Sequence, residues 1–199
     1  MPGRQQDVPK DREQQTPFDP EDRDRLERTR GQGTSGTGED LLPGEAGGPP
    51  KRLELRSDAF DDGETLPDRF AHDRDNVSPP LDWSPPPEGT AELALLCEDL
   101  DAPSGVFTHW VLAGIDPSAT GVAEGELPIG AVEGVNGFGE IGWGGPQPPP
   151  GDGPHRYVFT VVASSTPLDL PTGADDGVLR DALEGHELAR GELIAIAER

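Results

Sequence analysis

Basic residues are scarce in this chain of 199 residues. It carries 16 Lys+Arg against 39 Asp+Glu, which gives a formal net charge of −23. Proteins bind a nucleic-acid backbone by displacing counterions with Lys and Arg, so this balance argues against DNA and RNA as partners. It also disfavours docking on anionic lipid surfaces.

Cysteine and long apolar runs are also nearly absent. The single cysteine, Cys97, cannot form an intramolecular disulfide, which favours a reducing compartment. No run approaches the roughly 18 to 20 apolar residues of a membrane span. The first 15 residues lack the apolar segment of a secretory signal. We therefore expect a cytoplasmic protein without a membrane span.

Aromatic residues make up only 5% of the chain, whereas Gly (27) and Pro (23) are abundant. Residues 1–50 contain seven apolar residues and cannot bury enough apolar area to offset the loss of chain entropy. We predict a disordered, acidic, Gly/Pro-rich tail over residues 1–50 and one folded domain over residues 51–199. The tail carries 11 acids and 7 bases, which leaves 28 acids and 9 bases, net −19, on the domain.

Short apolar runs, separated by clusters of Pro, Gly and Asp, fill the domain. Their length and their content of β-branched and aromatic residues are typical of strands. This rhythm predicts an all-β domain, a β-sandwich of antiparallel strands. The predicted strands are residues 53–57, 91–99, 107–115, 155–164 and 192–198.

One segment near the C-terminus has helical rather than strand periodicity. Apolar residues pair at i,i+4 from Ala174 to about Arg190, which predicts a short C-terminal helix. Gly185 weakens or breaks this helix, and Gly191 ends it.

The glycine motif GFGEIG at residues 137–142 matches the spacing of dinucleotide-binding loops. That fingerprint needs a following helix whose N-terminus faces a pyrophosphate, and the sequence that follows, WGGPQPPPG, cannot be helical. We therefore predict no nucleotide and no other cofactor. The glycines are interpreted as positions where the loop passes close to a ligand or to other backbone.

A set of polar residues at strand positions carries most of the functional information. Asp99 and Asp101 end one predicted strand, and His109 lies in the next. His155 and Tyr157 open a third strand on the same face, because they are two residues apart. The aspartates and histidines could ligate a metal, but no H-x-H or H-E-x-x-H spacing supports this, so we predict no metal. In an anion pocket, the carboxylates would orient the imidazole rings and favour their protonated form.

Four segments around these residues resemble the phosphatidylethanolamine-binding protein family, also called Raf kinase inhibitor-like proteins, in its bacterial and archaeal branch. They are residues 76–84, 98–111, 136–159 and 182–199. The resemblance covers about residues 52–199 and implies a β-sandwich with a small anion pocket at one end. The pocket residues that it implies are Asp99, Asp101, Pro103, His109, Gly145, Pro146, His155 and Tyr157. The sequence departs from the family pattern at Leu100, where proline is usual, and at Gln147, where many prokaryotic members have cysteine.

The resemblance implies a non-catalytic protein that binds a small anionic ligand through a phosphate or carboxylate, such as a phospholipid head group. His109 and His155 would contact the anion, Tyr157 would donate its O–H, and the loop at residues 144–146 would form a wall. The alternative is an interaction protein that inhibits a kinase or protease, with a protein partner that the sequence does not identify. A hydrolase that uses the same Asp/His cluster is a third hypothesis. The sequence leaves open whether the protein forms a homodimer.

Overall fold

The computed structural model describes residues 50–128 and 130–199. The predicted disordered tail, residues 1–50, lies outside the described residues except for Pro50.

The described residues form ten strands, a short 3₁₀ turn and one α-helix. The long strands predicted at 91–99, 107–115 and 155–164 are confirmed as β5, β6 and β9. In chain order the elements are β1 (Lys51–Arg52), β2 (Leu55–Arg56), β3 (Glu64–Thr65), the 3₁₀ turn (Asp68–Phe70), β4 (Leu81–Trp83), β5 (Glu92–Asp99), β6 (Phe107–Ile115), β7 (Gly121–Val122), β8 (Val132–Glu133), β9 (His155–Ser164), α1 (Asp176–Leu183) and β10 (Glu187–Ala197).

Seven of the strands form one large sheet in the order β1-β10-β9-β5-β6-β8, with β3 also paired to β10. The four long strands pair antiparallel, as predicted. The short strands β1 and β3 instead run parallel to β10, which the prediction of a purely antiparallel domain missed. From β1 to β3 the chain runs alongside β10 in the same direction as that strand. β1 therefore pairs at Ala189, and β3 pairs further along at Ala195.

Both faces of the large sheet are buried. One face shares a core cluster with the three-stranded sheet β2-β4-β7. This cluster contains Trp110 and Phe159 from the large sheet and Trp83 from β4. The opposite face packs Leu96 and Val111 against α1 and the segment before it. Burial on both faces explains why β5 reads as an almost continuous apolar run. The mainly β character with one short helix is confirmed, and the description as a sandwich stays a prediction.

The C-terminal helix is shorter than the sequence predicts. α1 begins after Asp175, whose carboxylate accepts a hydrogen bond from the backbone N–H of Val178, and it ends at Leu183. Gly185, with φ of 76°, then turns the chain. The prediction of helix up to about Arg190 was wrong, because β10 already pairs with β9 from Glu187 onward and this pairing overrides the local helical pattern.

The segment at residues 143–146 is clamped between β6 and the loop at residues 70–76. The indole N–H of Trp143 donates to the carbonyl of Phe70 at 3.1 Å, and the backbone N–H of Gly145 donates to Oδ1 of Asn76 at 2.8 Å. A Cβ on Gly145 would lie 2.0 Å from the carbonyl oxygen of Phe70, so only glycine permits this approach. These two hydrogen bonds, which we call the clamp, fix residues 143–146 next to His109.

We expect Gly145→Ala to destabilise the domain by about 3 kcal/mol, because the added Cβ meets backbone that cannot move aside. The matched control is Gly185→Ala, where φ is 76° and a Cβ would meet open space. It should cost about 1 kcal/mol for the left-handed backbone alone. Denaturant unfolding of both variants measures the difference, and equal losses would contradict the close approach at Gly145.

Candidate functional site

The ends of β5 and β9 enclose a cavity of about 160 Å³. Strand register brings these strand ends together, since Asp99 lies opposite both Tyr157 of β9 and Phe107 of β6. Five of the eight predicted site residues line this cavity, namely Asp99, Pro103, His109, His155 and Tyr157. The complete lining is Asp99, Ala102, Pro103, Ser104, Phe107, His109, Phe138, Gln147, Pro148, Pro149, His155 and Tyr157.

The ring of His155 lies between two carboxylates and is only 2% exposed. Its Nδ1 is 2.7 Å from Oδ2 of Asp99, and its Nε2 is 3.3 Å from Oδ2 of Asp152. Burial alone would lower the pKa of His155, but the hydrogen bonds and negative charges of Asp99 and Asp152 outweigh it and raise the pKa above its ordinary value. The ring therefore keeps its proton to higher pH, and both ring N–H groups donate to carboxylates.

Asp101 lines no part of the cavity and does not orient an imidazole ring, contrary to its predicted role. Its carboxylate accepts hydrogen bonds from the backbone N–H, Nε and Nη2 of Arg156, at 2.8 to 2.9 Å. These bonds from Arg156 lower the pKa of Asp101 to about 2. Side chains alternate along β9, so Arg156 points away from the face that carries His155 and Tyr157. β5 ends at Asp99, and the chain turns there so that the backbone N–H of Asp101 donates to Oδ1 of Asp99.

His109 has the opposite electrostatic character to His155. Its Nδ1 is hydrogen-bonded to the carbonyl oxygen of Gly144, and the N–H of Gly144 donates to the carbonyl of His109 at 2.9 Å. A carbonyl can only accept, so Nδ1 carries the hydrogen. Burial lowers the pKa of His109, outweighing the opposing effects of the Gly144 carbonyl and the charge of Asp99. The predicted protonated form therefore suits His155 and not His109.

Tyr157 brings an unpartnered hydroxyl into the cavity. Its side chain is fully buried, and within the described part of the chain its Oη has no hydrogen-bond partner. Burial, followed by the negative charge of Asp99, raises the pKa of Tyr157, so the phenol stays protonated. Buried hydroxyls without a partner are rare in folded proteins because they have lost their bonds to water. The Tyr157 O–H is thus a buried donor without an acceptor in the described part of the chain.

Aromatic rings form one wall of the cavity. The ring of Phe107 lies 5.0 Å from His109 and 4.8 Å from Phe138, measured between centroids. Gly137 makes room for this wall, since a Cβ there would lie 2.6 Å from Cζ of Phe107. The sequence predicts that this glycine loop passes close to a ligand or to other backbone, but at Gly137 the close neighbour is the side chain of Phe107.

Gly145 and Pro146 support the site from behind. Neither residue lines the cavity. Both bind the loop at residues 70–76, through the bond from Gly145 to Asn76 and through the carbonyl of Pro146, which accepts from the N–H of His72 at 3.1 Å. They hold Gly144 where its carbonyl meets the ring of His109.

Sequence reasoning missed Phe107, Phe138 and Asp152 as parts of the site. Phe138 lies within the motif GFGEIG at residues 137–142, which was interpreted only through its glycines. Asp152 lies three residues before His155 in a loop between two glycines, and no spacing rule links such a residue to the ring. A carboxylate just upstream of a strand histidine was the one available signal.

A larger cavity of about 430 Å³ lies between α1 and the large sheet and contains none of the predicted residues. Its two arginines, Arg180 and Arg190, already pair with Glu98 and Glu187. The smaller cavity is therefore the candidate site, because it holds the unpartnered hydroxyl. The described residues contain no group of three His, Cys, Asp or Glu arranged to hold a metal. In the same part of the chain, no helix is long and apolar enough to cross a membrane.

Comparison with relatives bears on location as well as family. A protein of Mycobacterium tuberculosis named as a candidate lipoprotein, LppC, is 43% identical over 122 residues, covering 61% of this chain and 60% of that protein. The lipoprotein name belongs to that protein alone. The cytoplasmic location of this chain stays a prediction.

The other comparisons cover nearly the whole described domain. The sequence profile of the family described as phosphatidylethanolamine-binding protein matches residues 56–198. A UPF0098 protein of Methanothermobacter thermautotrophicus is 43% identical over 152 residues, covering 74% of this chain and 99% of that protein. The crystal structure of a phosphatidylethanolamine-binding protein homologue from Chlamydia trachomatis matches with a TM-score of 0.70 and 34% identity, covering 75% of this chain and 99% of that chain. The chain therefore belongs to the phosphatidylethanolamine-binding protein family.

Proposed function

We propose that this protein binds a small anionic group, a phosphate or a carboxylate, in the cavity between His155 and Tyr157, and that it does so without catalysis. The observation that carries the proposal is the fully buried Tyr157 hydroxyl, which has no partner within the described residues. It lies in the same cavity as the ring of His155, whose pKa is raised.

A ligand oxygen would relieve the cost of that hydroxyl. Leaving a buried polar group unsatisfied costs about 1 to 3 kcal/mol, and an oxygen that accepts from the Tyr157 O–H recovers this free energy. An anionic oxygen makes a stronger bond than a neutral one. The positive charge of the His155 ring also attracts an anion in the cavity.

The size of the cavity suits a head group and not a whole lipid. About 160 Å³ is small compared with the pockets of several hundred Å³ that hold drug-sized ligands. Phe138 both lines the cavity and remains 37% exposed, so it offers an apolar surface at the mouth to the rest of the ligand. A phospholipid head group or another small phosphate compound has these properties.

The chemistry of the cavity supports binding rather than turnover. Its two hydroxyls belong to Ser104 and Tyr157, and in the described residues neither is hydrogen-bonded to a histidine that could remove its proton. Cys97 is buried in the core, where burial raises the pKa of its thiol. No activated nucleophile is therefore assembled among these three side chains. Inhibition of a kinase or protease, an unidentified protein partner and a homodimer stay predictions.

We expect inorganic phosphate to shift the ring resonances of His155 in NMR titrations at millimolar concentration. Tyr157→Phe should weaken phosphate binding about tenfold or more, because it removes one hydrogen bond to a charged oxygen. The same variant should unfold at an unchanged or higher temperature, since Oη stabilises nothing within the described fold. Thr160→Val is the matched control, because it removes a largely buried hydroxyl from the opposite face of β9.

Two outcomes would contradict this proposal. One is the absence of any shift at His155 in the wild type at millimolar phosphate. The other is an equal loss of affinity in Tyr157→Phe and Thr160→Val, which would mean that the Tyr157 hydroxyl makes no specific contact with the ligand.

Binding should weaken with rising pH because His155 loses its charge. Acetate is a suitable probe, since it stays ionised throughout the titration of a histidine. Its affinity should be constant at low pH and fall as the pH rises through the pKa of His155, above the ordinary value of about 6.5. NMR titration of the free protein should give a lower pKa for His109. Equal pKa values for the two rings would refute the assignment of charge.

The same raised pKa has a consequence for stability. A histidine whose pKa is higher in the folded than in the unfolded chain stabilises the fold fully below its unfolded pKa of about 6.5. This contribution is lost as the pH rises through the folded pKa. Asp99→Asn removes the largest source of the upward shift, so the free energy of unfolding should depend less on pH in this range.

Salt should not weaken phosphate binding. Residues 51–199 carry a net charge of −19, from 28 acids and 9 bases, so long-range repulsion opposes an approaching anion. Added salt screens charges beyond roughly 8 to 10 Å at physiological strength. The phosphate affinity should therefore rise, or stay constant, between low and moderate concentrations of a salt with a non-competing anion. A steep fall would show that the local positive field of His155 dominates instead.

A further inference from the structure

We infer that Asp152 is an intramolecular competitor for the anion, a carboxylate that occupies the outer nitrogen of His155 and has to be displaced before a ligand can bind there. This inference rests on the proposed function and adds a residue that sets the affinity of the site. It follows from the hydrogen bonds of one imidazole ring.

Both nitrogens of His155 are occupied by carboxylates of this chain. Nδ1 lies 2.7 Å from Asp99 and Nε2 lies 3.3 Å from Asp152. An imidazolium has only these two N–H donors. An external anion can therefore accept a linear hydrogen bond from the ring only if one of the two carboxylates leaves.

Asp152 is the one that can leave. Asp99 is 3% exposed and also accepts a hydrogen bond from the backbone N–H of Asp101 at 2.9 Å, so it is fixed on two sides. The side chain of Asp152 is 42% exposed. Within the described residues its carboxylate makes no hydrogen bond except the 3.3 Å contact to His155. That distance is longer than a typical charge-assisted hydrogen bond.

The backbone on both sides of Asp152 permits the movement. Gly151 and Gly153 have φ values of 81° and 91°, and a Cβ built on either would meet no atom within 4 Å. Open space and glycine on each side let the carboxylate turn outward without displacing neighbouring side chains. The loop itself stays anchored, because the N–H of Gly151 donates to the carbonyl of Arg199 at 3.0 Å.

The charges around the ring favour an exchange of anions over a simple addition. The groups that face His155 are Asp99 at the end of β5 and Asp152 in the loop, while Arg156 is neutralised by Asp101. The net charge of one imidazolium and two carboxylates is already −1. A third negative charge would be repelled by this cluster, whereas a ligand that replaces Asp152 keeps the balance.

The test compares Asp152→Asn with wild type in the full chain at about pH 6, where the ring stays protonated through Asp99. Phosphate titrations followed by the His155 resonances should give a dissociation constant about tenfold lower in the variant. The reason is that the substitution removes one negative charge from a group in contact with the ring. Glu126→Gln is the matched control. It removes one exposed carboxylate that makes no hydrogen bond to the ring of His155, and it should change the dissociation constant less than twofold.

The free variant gives a second measurement that needs no ligand. Loss of the Asp152 charge should lower the pKa of His155 toward its ordinary value, while Glu126→Gln leaves it unchanged. Because Asp152 is largely solvated, the variant is expected to fold, and its thermal unfolding checks this.

The outcomes separate this inference from the proposed function. If wild type binds phosphate and Asp152→Asn binds it no more tightly, the competitor role is wrong and the proposed function stands. If neither protein binds phosphate at millimolar concentration, both are wrong. If the variant alone binds measurably, the competitor role is supported, whereas the proposed function is wrong for the wild type at millimolar phosphate.

Discussion

The antiparallel pairing of β9 with β5 is the interaction on which the candidate site depends. It sets Asp99 opposite Tyr157, so that one buried carboxylate reaches the ring of His155 and also influences the phenol. β10 holds the other edge of β9 through ten paired residues. A shift of the β5–β9 register by one residue would turn His155 and Tyr157 to the opposite face and remove the site.

The two cavity histidines show how neighbouring groups, and not residue type, decide chemistry. His155 faces two carboxylates and has a raised pKa, whereas the equally buried His109 donates to a backbone carbonyl and has a lowered pKa. The cavity therefore combines one charged donor, one neutral donor at Tyr157 and one neutral ring.

Sequence patterns predicted the three central strands well, because long buried apolar runs such as residues 155–164 leave little freedom. Spacing and family resemblance also indicated Asp99, His109, His155 and Tyr157, which the structure brings together in the lining of one cavity. The start of β10 was missed because pairing with β9 overrides a local helical pattern. The partner of Asp101 depends on how the chain turns after β5, and the contact of Asp152 depends on loop geometry. Neither has a periodic signature in the sequence.

The clamp around Gly145 has a consequence for the order of folding. Its hydrogen bonds join residues that are 69 and 73 positions apart, from Gly145 to Asn76 and from Trp143 to Phe70. Closing loops of that length costs entropy that local contacts do not repay. A chain whose central strands had paired but whose clamp was open would have a sheet in which the carbonyl of Gly144 is not held against the ring of His109. The geometry of the candidate site is thus a property of the completely folded domain and not of its central sheet alone.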